Sequence, residues 1–163
     1  MKQAVILITI LAALAKCATS VPAAGENVSA LNIESRLAPI DGSRFIASLT
    51  NMNWFGAYGF CSQQNATLLS LEMGKNDNKK KEFTAFIKLY HLESHEYWLS
   101  GTRLEDDVTF RWGLGGLPIS QADWAPSQPD NLGGQQRCMK LFTSIKWDDE
   151  DCFAKFYAAC QKY

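Results

Sequence analysis

Histidine is scarce in this chain, with two copies in 163 residues, and no free histidine or cysteine stands near its cluster of acids and amides to supply the nitrogen and sulfur ligands that zinc takes. His91 and His95 have the spacing of a helical metal pair, but no third ligand accompanies them and they are read as a surface pair at a helix end. No serine, cysteine or histidine constellation suited to covalent or acid–base catalysis is present, so the chain is read as not an enzyme. An excess of charge of one sign is also missing. A formal net charge of -1 offers no footing for nucleic acid or for an acidic membrane surface. Past the N-terminus no apolar run approaches the roughly 20 residues needed to cross a bilayer, which argues against membrane insertion.

What is present begins with Met1-Lys2-Gln3, an apolar run from Ala4 to Ala15, and small residues at Ala18, Ser20, Ala23 and Ala24. This is the pattern of a secretory signal peptide over residues 1–20, and it implies a secreted, extracellular protein. Removing it takes Cys17 away and leaves Cys61, Cys138, Cys152 and Cys160, an even set in an oxidising compartment. Two disulfides are expected, with three pairings open. Residues 21–43, small and polar with Pro22, Gly25, Pro39 and Gly42 and without heptads, read as a flexible leader and not an oligomerising stalk. Residues 44–163 suit one domain. Asn27-Val28-Ser29 and Asn65-Ala66-Thr67 are glycosylation acceptors in a secreted protein.

Within the domain, Arg44 to Thr50 is strand-like, and Asn53 caps a helix from Trp54 to Gln63 whose Cys61 faces inward. A second helix begins near Asn78 and runs to Leu89, with Phe83, Phe86, Ile87 and Tyr90 as its core stripe. Tyr97 to Gly101, Phe110 to Trp112, Cys138 to Phe142, Ser144 to Trp147 and Phe153 to Cys160 read as short strands. Gly113 to Gln136 is a long loop, and loops of that length inside compact domains are usually functional. Trp98, Trp112, Trp124 and Trp147 are read as core.

Around Cys138 and Cys152 stand three acids and two amides: Gln128, Asp130, Gln136, Asp148 and Asp149. Calcium takes six to eight oxygen ligands, so carboxylates and carboxamides mixed in one loop suit Ca2+.

These residues resemble the C-type lectin domain over essentially all of Arg44 to Tyr163. Trp98-Leu99-Ser100-Gly101 looks like that family's central strand, and Trp124 precedes the next motif as it does there. Gln128-Pro129-Asp130 matches the Gln-Pro-Asp motif, and Trp147-Asp148-Asp149, two residues and Cys152 match Trp-Asn-Asp-x-x-Cys with one substitution. The resemblance implies an α+β fold with two helices, two small antiparallel sheets and a long calcium-binding loop. It also implies nested disulfides, Cys61–Cys160 and Cys138–Cys152, and a cis peptide before Pro129. Gln128, Asp130, Gln136, Asp148 and Asp149 would then hold one calcium ion and bind sugar hydroxyls.

Two positions depart from the pattern: Gln136 stands where the family has Glu, and Asp148 where it has Asn. Ligand charge is conserved, but acid and amide are exchanged. The Gln-Pro-Asp motif implies galactose-type ligands, and the double exchange predicts mixed galactose and mannose recognition. The small secreted format is similar to insect C-type lectins, which implies glycan recognition in innate immunity, with clustering into an oligomer as the route to avidity. The alternative is a calcium-independent C-type lectin-like module that binds protein surfaces, since one scaffold hosts both.

Overall fold

The structure is a computed structural model that describes residues 39–163; the expected signal peptide, the leader to residue 38 and the Asn27 acceptor lie outside the described residues. Both helices begin at a side-chain cap. Asn53 sits in extended backbone and its Oδ1 accepts the Gly56 N–H at 2.8 Å, which starts α1 (Trp54–Gln63). Asp77 does the same for α2 (Asn78–Leu89), accepting the Lys79 N–H at 2.8 Å. Trp54, Ala57 and Cys61 are the buried face of α1, and Phe83, Phe86 and Ile87 that of α2.

The strands form two small antiparallel sheets joined along one seam. β1 (Ile40–Asp41) pairs β2 (Phe45–Ala47), which pairs β8 (Tyr157–Gln161), and β3 (Thr67–Leu68) adds to β8. β4 (Tyr97–Thr102) pairs both β5 (Arg111–Trp112) and β6 (Gln136–Leu141), and β6 pairs β7 (Trp147–Asp151). A short parallel register, Tyr97 with Tyr157 and Trp98 with Ala158, fuses the two sheets.

β4 is buried along its whole length, so both of its faces pack on core. Tyr97 and Leu99 face a cluster with Phe45, Phe83, Phe86, Ile87, Met139, Leu141 and Trp147. Trp98, on the other face, packs with Ile46, Trp54, Ala57, Leu68 and Ala158. Of the three fully buried indole N–H groups, Trp54 Nε1 donates to Leu99 O at 2.9 Å and Trp98 Nε1 to Met52 O at 2.7 Å, whereas Trp147 Nε1 is buried without a hydrogen-bond partner. The disulfides take the nested pairing. Cys61–Cys160 ties α1 to β8 across a separation of 99 residues, and Cys138–Cys152 closes the β6–β7 hairpin across 14. In the chain-entropy account these loops contribute at most roughly 4.7 and 3 kcal/mol.

Several boundaries differ from the sequence expectation. Ser144 to Trp147 is mainly a turn, not a strand: Phe142 N–H donates to Lys146 O at 2.8 Å and Ile145 has φ +59°. The strand is the acidic run itself, because Asp148, Asp149 and Glu150 each pair with a residue of β6. Regular pairing also starts earlier than Arg44, at Ile40 opposite Ala47, within the stretch read as leader. β8 begins only at Tyr157, after the turn that follows Cys152.

The stretch from Gly113 to Gln135 has little regular structure and is pinned from inside. Asp123, 4% exposed, pairs with Lys80 of α2 and with Lys146 of the β6–β7 turn. Ala125 N–H donates to Trp147 O at 2.8 Å, and the Trp112 and Trp124 rings pack edge-on to Trp147 at 5.3 and 5.7 Å.

At Gly101 an added Cβ would lie 2.1 Å from Met139 Sδ and 3.1 Å from Met139 Cβ, whereas at Gly59 in α1 it would meet nothing within 4 Å. Gly101→Ala should therefore lower stability by about 1–3 kcal/mol. Gly59→Ala should raise it by roughly 0.5–1 kcal/mol. Urea midpoints of the two variants, moving in opposite directions, check this.

Candidate functional site

Side chains alternate along a strand, and in β7 that alternation separates the two adjacent acids. Trp147 and Asp149 face the long loop, while Asp148 lies opposite Lys140 on the other face.

Asp149 is fully buried. Its Oδ1 accepts the Asp130 N–H at 2.9 Å, its Oδ2 accepts the Asn131 N–H at 3.0 Å, and Arg103 Nη2 stands 3.5 Å from Oδ2. Burial pushes the Asp149 carboxyl above the ordinary range, against the opposing pull of the two amides and of Arg103.

The loop tip then closes on itself. The Gln128–Pro129 peptide is cis, as the resemblance implied. Asp130 N–H also donates to Gln128 Oε1 at 3.0 Å, and Leu132 N–H donates to Asp130 Oδ1 at 3.0 Å and to Gln136 Oε1 at 2.6 Å. Gln136 N–H returns to Asn131 Oδ1 at 3.1 Å, while Asn131 takes φ +47°, a left-handed conformation that asparagine tolerates. Gln128, Asp130, Gln136 and Asp149 are thus brought together in one hydrogen-bonded tip.

Asp148 is not part of that tip. Its Oδ2 lies 3.4 Å from Lys140 Nζ, which also reaches Glu96 at 3.0 Å and Glu150 at 3.3 Å and sits over the Phe156 ring at 4.3 Å. Burial pulls Lys140 down, but Glu96 and Glu150 outweigh it and hold the ammonium above its usual range. For Asp148 the balance is reversed: burial pushes its carboxyl up to about 6 in spite of Lys140, and Asp148 Oδ1 is buried without a hydrogen-bond partner.

All five residues offer hard oxygen donors, the chemistry calcium takes. Two carboxylates and two carboxamides of that set converge, and among the described residues no three Asp, Glu, His or Cys side chains group as a metal site. Arg137 turns outward to Asp107 and to Gln135 Oε1, away from the tip. His91 lies beyond the end of α2 with φ +57°, and His95 stacks on Tyr157 at 4.2 Å. Asn65 is exposed, at a turn with φ +52°.

Sequence reasoning missed Asn131, Arg103 and Lys140. An asparagine directly after Pro-Asp is a legible turn signal for the first. Nothing local marks Arg103, which reaches the site through the irregular β4–β6 register between Trp98 and Thr102.

Residues 50–162 match the family model described as the Lectin C-type domain. The chain is 28% identical over 125 residues to C-type lectin 37Db of Drosophila melanogaster, covering 75% of this chain and 79% of that protein. Among solved structures it is similar to TC14, a C-type lectin from the tunicate Polyandrocarpa misakiensis, with TM-score 0.58, 24% identity, and coverage of 73% of this chain and 96% of that one. It is also similar to a calcium-independent type II antifreeze protein, with TM-score 0.57, 24% identity and coverage of 76% and 88%.

Folding favours the protonated form of Asp148, since its folded carboxyl titrates above the unfolded one; its ionisation therefore costs stability as pH rises through about 6. Asp148→Asn should accordingly be more stable than the parent at pH 7.5, by roughly 1–2 kcal/mol. The gain should shrink as pH falls from about 6 and be gone below about 4, where the parent carboxyl is protonated in both states. Denaturation midpoints measured across this pH range read the sign directly.

Proposed function

The chain belongs to the C-type lectin domain family, and from that premise we propose that it is a secreted lectin that binds glycans at the tip formed by Gln128, Asp130, Gln136 and Asp149. The observation that carries this reading is the buried Asp149 carboxylate, which holds the backbone of Asp130 and Asn131 directly behind the cis Gln128–Pro129 turn. A hard cation suits this tip by donor chemistry: Gln128, Asp130, Gln136 and Asp149 would hold one calcium ion, and Asp148, engaged by Lys140, would contribute charge more than a bond. Bound there, calcium supplies the electropositive centre toward which two neighbouring sugar hydroxyls turn.

The chain's own groups decide which hydroxyls fit. Asp130 accepts from a hydroxyl proton, whereas Gln128 and Gln136 spend Oε1 on loop amides, which leaves their Nε2 groups as donors. One acid flanked by two amides is neither a purely galactose-type nor a purely mannose-type arrangement, so recognition of both classes is proposed. The expected signal peptide supports secretion, the likeness to a fly protein named a C-type lectin supports glycan binding, and glycan recognition in innate immunity is proposed as its setting.

A second reading, a calcium-independent lectin-like module that binds protein surfaces, is favoured by one feature. Cations of the chain itself, Arg103 and Lys140, already stand beside Asp149 and Asp148.

Calorimetry on the purified domain separates the two. Calcium should bind the parent, galactose and mannose should give heat only in its presence, and Asp149→Ala should abolish both while costing stability through two orphaned loop amides, about 1–3 kcal/mol each. Absence of calcium heat in the parent would reject the lectin mechanism in favour of protein binding.

A further inference from the structure

We propose that Arg103 is a built-in cation that keeps the sugar-binding loop formed without calcium. The inference rests on the reading of that loop as the glycan site and says what orders it. Taking a carboxylate such as Asp149 fully out of water is costly unless charge and hydrogen bonds compensate. Part of the compensation comes from loop amides, and the positive charge comes from Arg103.

The Arg103 side chain is 13% exposed, and its guanidinium touches both ends of the loop tip. Its Nε and Nη2 both donate to Gln136 O, at 3.0 and 2.7 Å, where the loop re-enters the sheet. Its Nη2 lies 3.5 Å from Asp149 Oδ2, and Asp149 in turn grips residues 130 and 131. The Phe110 ring lies 5.1 Å from the guanidinium carbon, and Arg103 N–H donates to Arg137 O at 2.9 Å, so the side chain is held from below and at its root. Two donors on one carbonyl oxygen, with a carboxylate beside them, use the planar fork in a way a lysine ammonium cannot. Arginine stays charged throughout the working pH range, so no chelator or acid shift removes this cation. Calcium, when bound, then serves the ligand and not the order of the loop.

Hydrogen–deuterium exchange on the full chain tests this, read on peptides covering residues 126–136 in EDTA and in calcium, with peptides from α2 and β8 as controls for global folding. In the parent, protection at Asp130 and Asn131 should change by less than about threefold when calcium is withdrawn. Arg103→Gln should lose about tenfold or more of that protection in EDTA while α2 and β8 remain protected. Arg103→Lys, which keeps the charge and loses the fork, should fall between them and covers the case in which the glutamine variant does not fold. A parent loop that exchanges freely in EDTA overturns the proposal, and so does Arg103→Gln or Arg103→Lys with parental protection there. Calorimetric calcium binding judges the lectin mechanism separately. A parent that binds no calcium yet keeps its loop protected in EDTA would reject that mechanism while supporting the role of Arg103.

Discussion

The burial of the Asp149 carboxylate organises this end of the molecule. A carboxylate with no solvent access must find its hydrogen bonds and counter-charge inside the protein, and the nearest supply is the backbone of an otherwise unstructured loop. The Asp130 and Asn131 amides answer that demand, and the turn carrying them is thereby fixed against β7. From there the remaining tip contacts follow, through Leu132 to Gln136 and back to Asn131. A long loop with almost no regular hydrogen bonding thus acquires one defined shape, anchored again farther back by the buried Asp123 between Lys80 and Lys146.

The neighbouring Asp148 shows how little adjacency in sequence means in a strand. One residue of displacement moves it to the opposite face, next to Lys140, where burial and a half-satisfied carboxylate leave its protonation sensitive to mildly acidic pH. The acid–amide exchange at positions 136 and 148 therefore falls on two residues with different surroundings. Gln136 stays at the tip and alters its donor pattern, whereas Asp148 joins an ionic cluster with Lys140, Glu96 and Glu150. The β6–β7 hairpin so carries a face that holds the long loop and a face that holds an ionic cluster, back to back.

The helices were legible because their information is local. Asn53 sits one residue before the apolar spacing of α1, and the Phe83, Phe86 and Ile87 stripe of α2 repeats at helical period. The acidic run falls outside the strands read from the sequence for the opposite reason. Charged residues are poor strand formers on their own, and only pairing with Lys140, Met139 and Cys138 makes Asp148 to Glu150 a strand.

The resemblance implied the fold class, the nested disulfides and the cis peptide that the structure shows, where the cysteine count alone left three pairings open, and it was carried by the four cysteines, the Gln-Pro-Asp turn and the Trp-Asp-Asp run. These are short-range spacings tied to specific residue types, and they survive being read in one dimension. The tertiary structure alone decided which acid faces the loop, which cation stands beside it and where the long loop is pinned. Those outcomes depend on strand register, and the β4–β6 irregularity that delivers Arg103 to Gln136 and Asp149 joins residues more than thirty positions apart, a relation that no local pattern encodes.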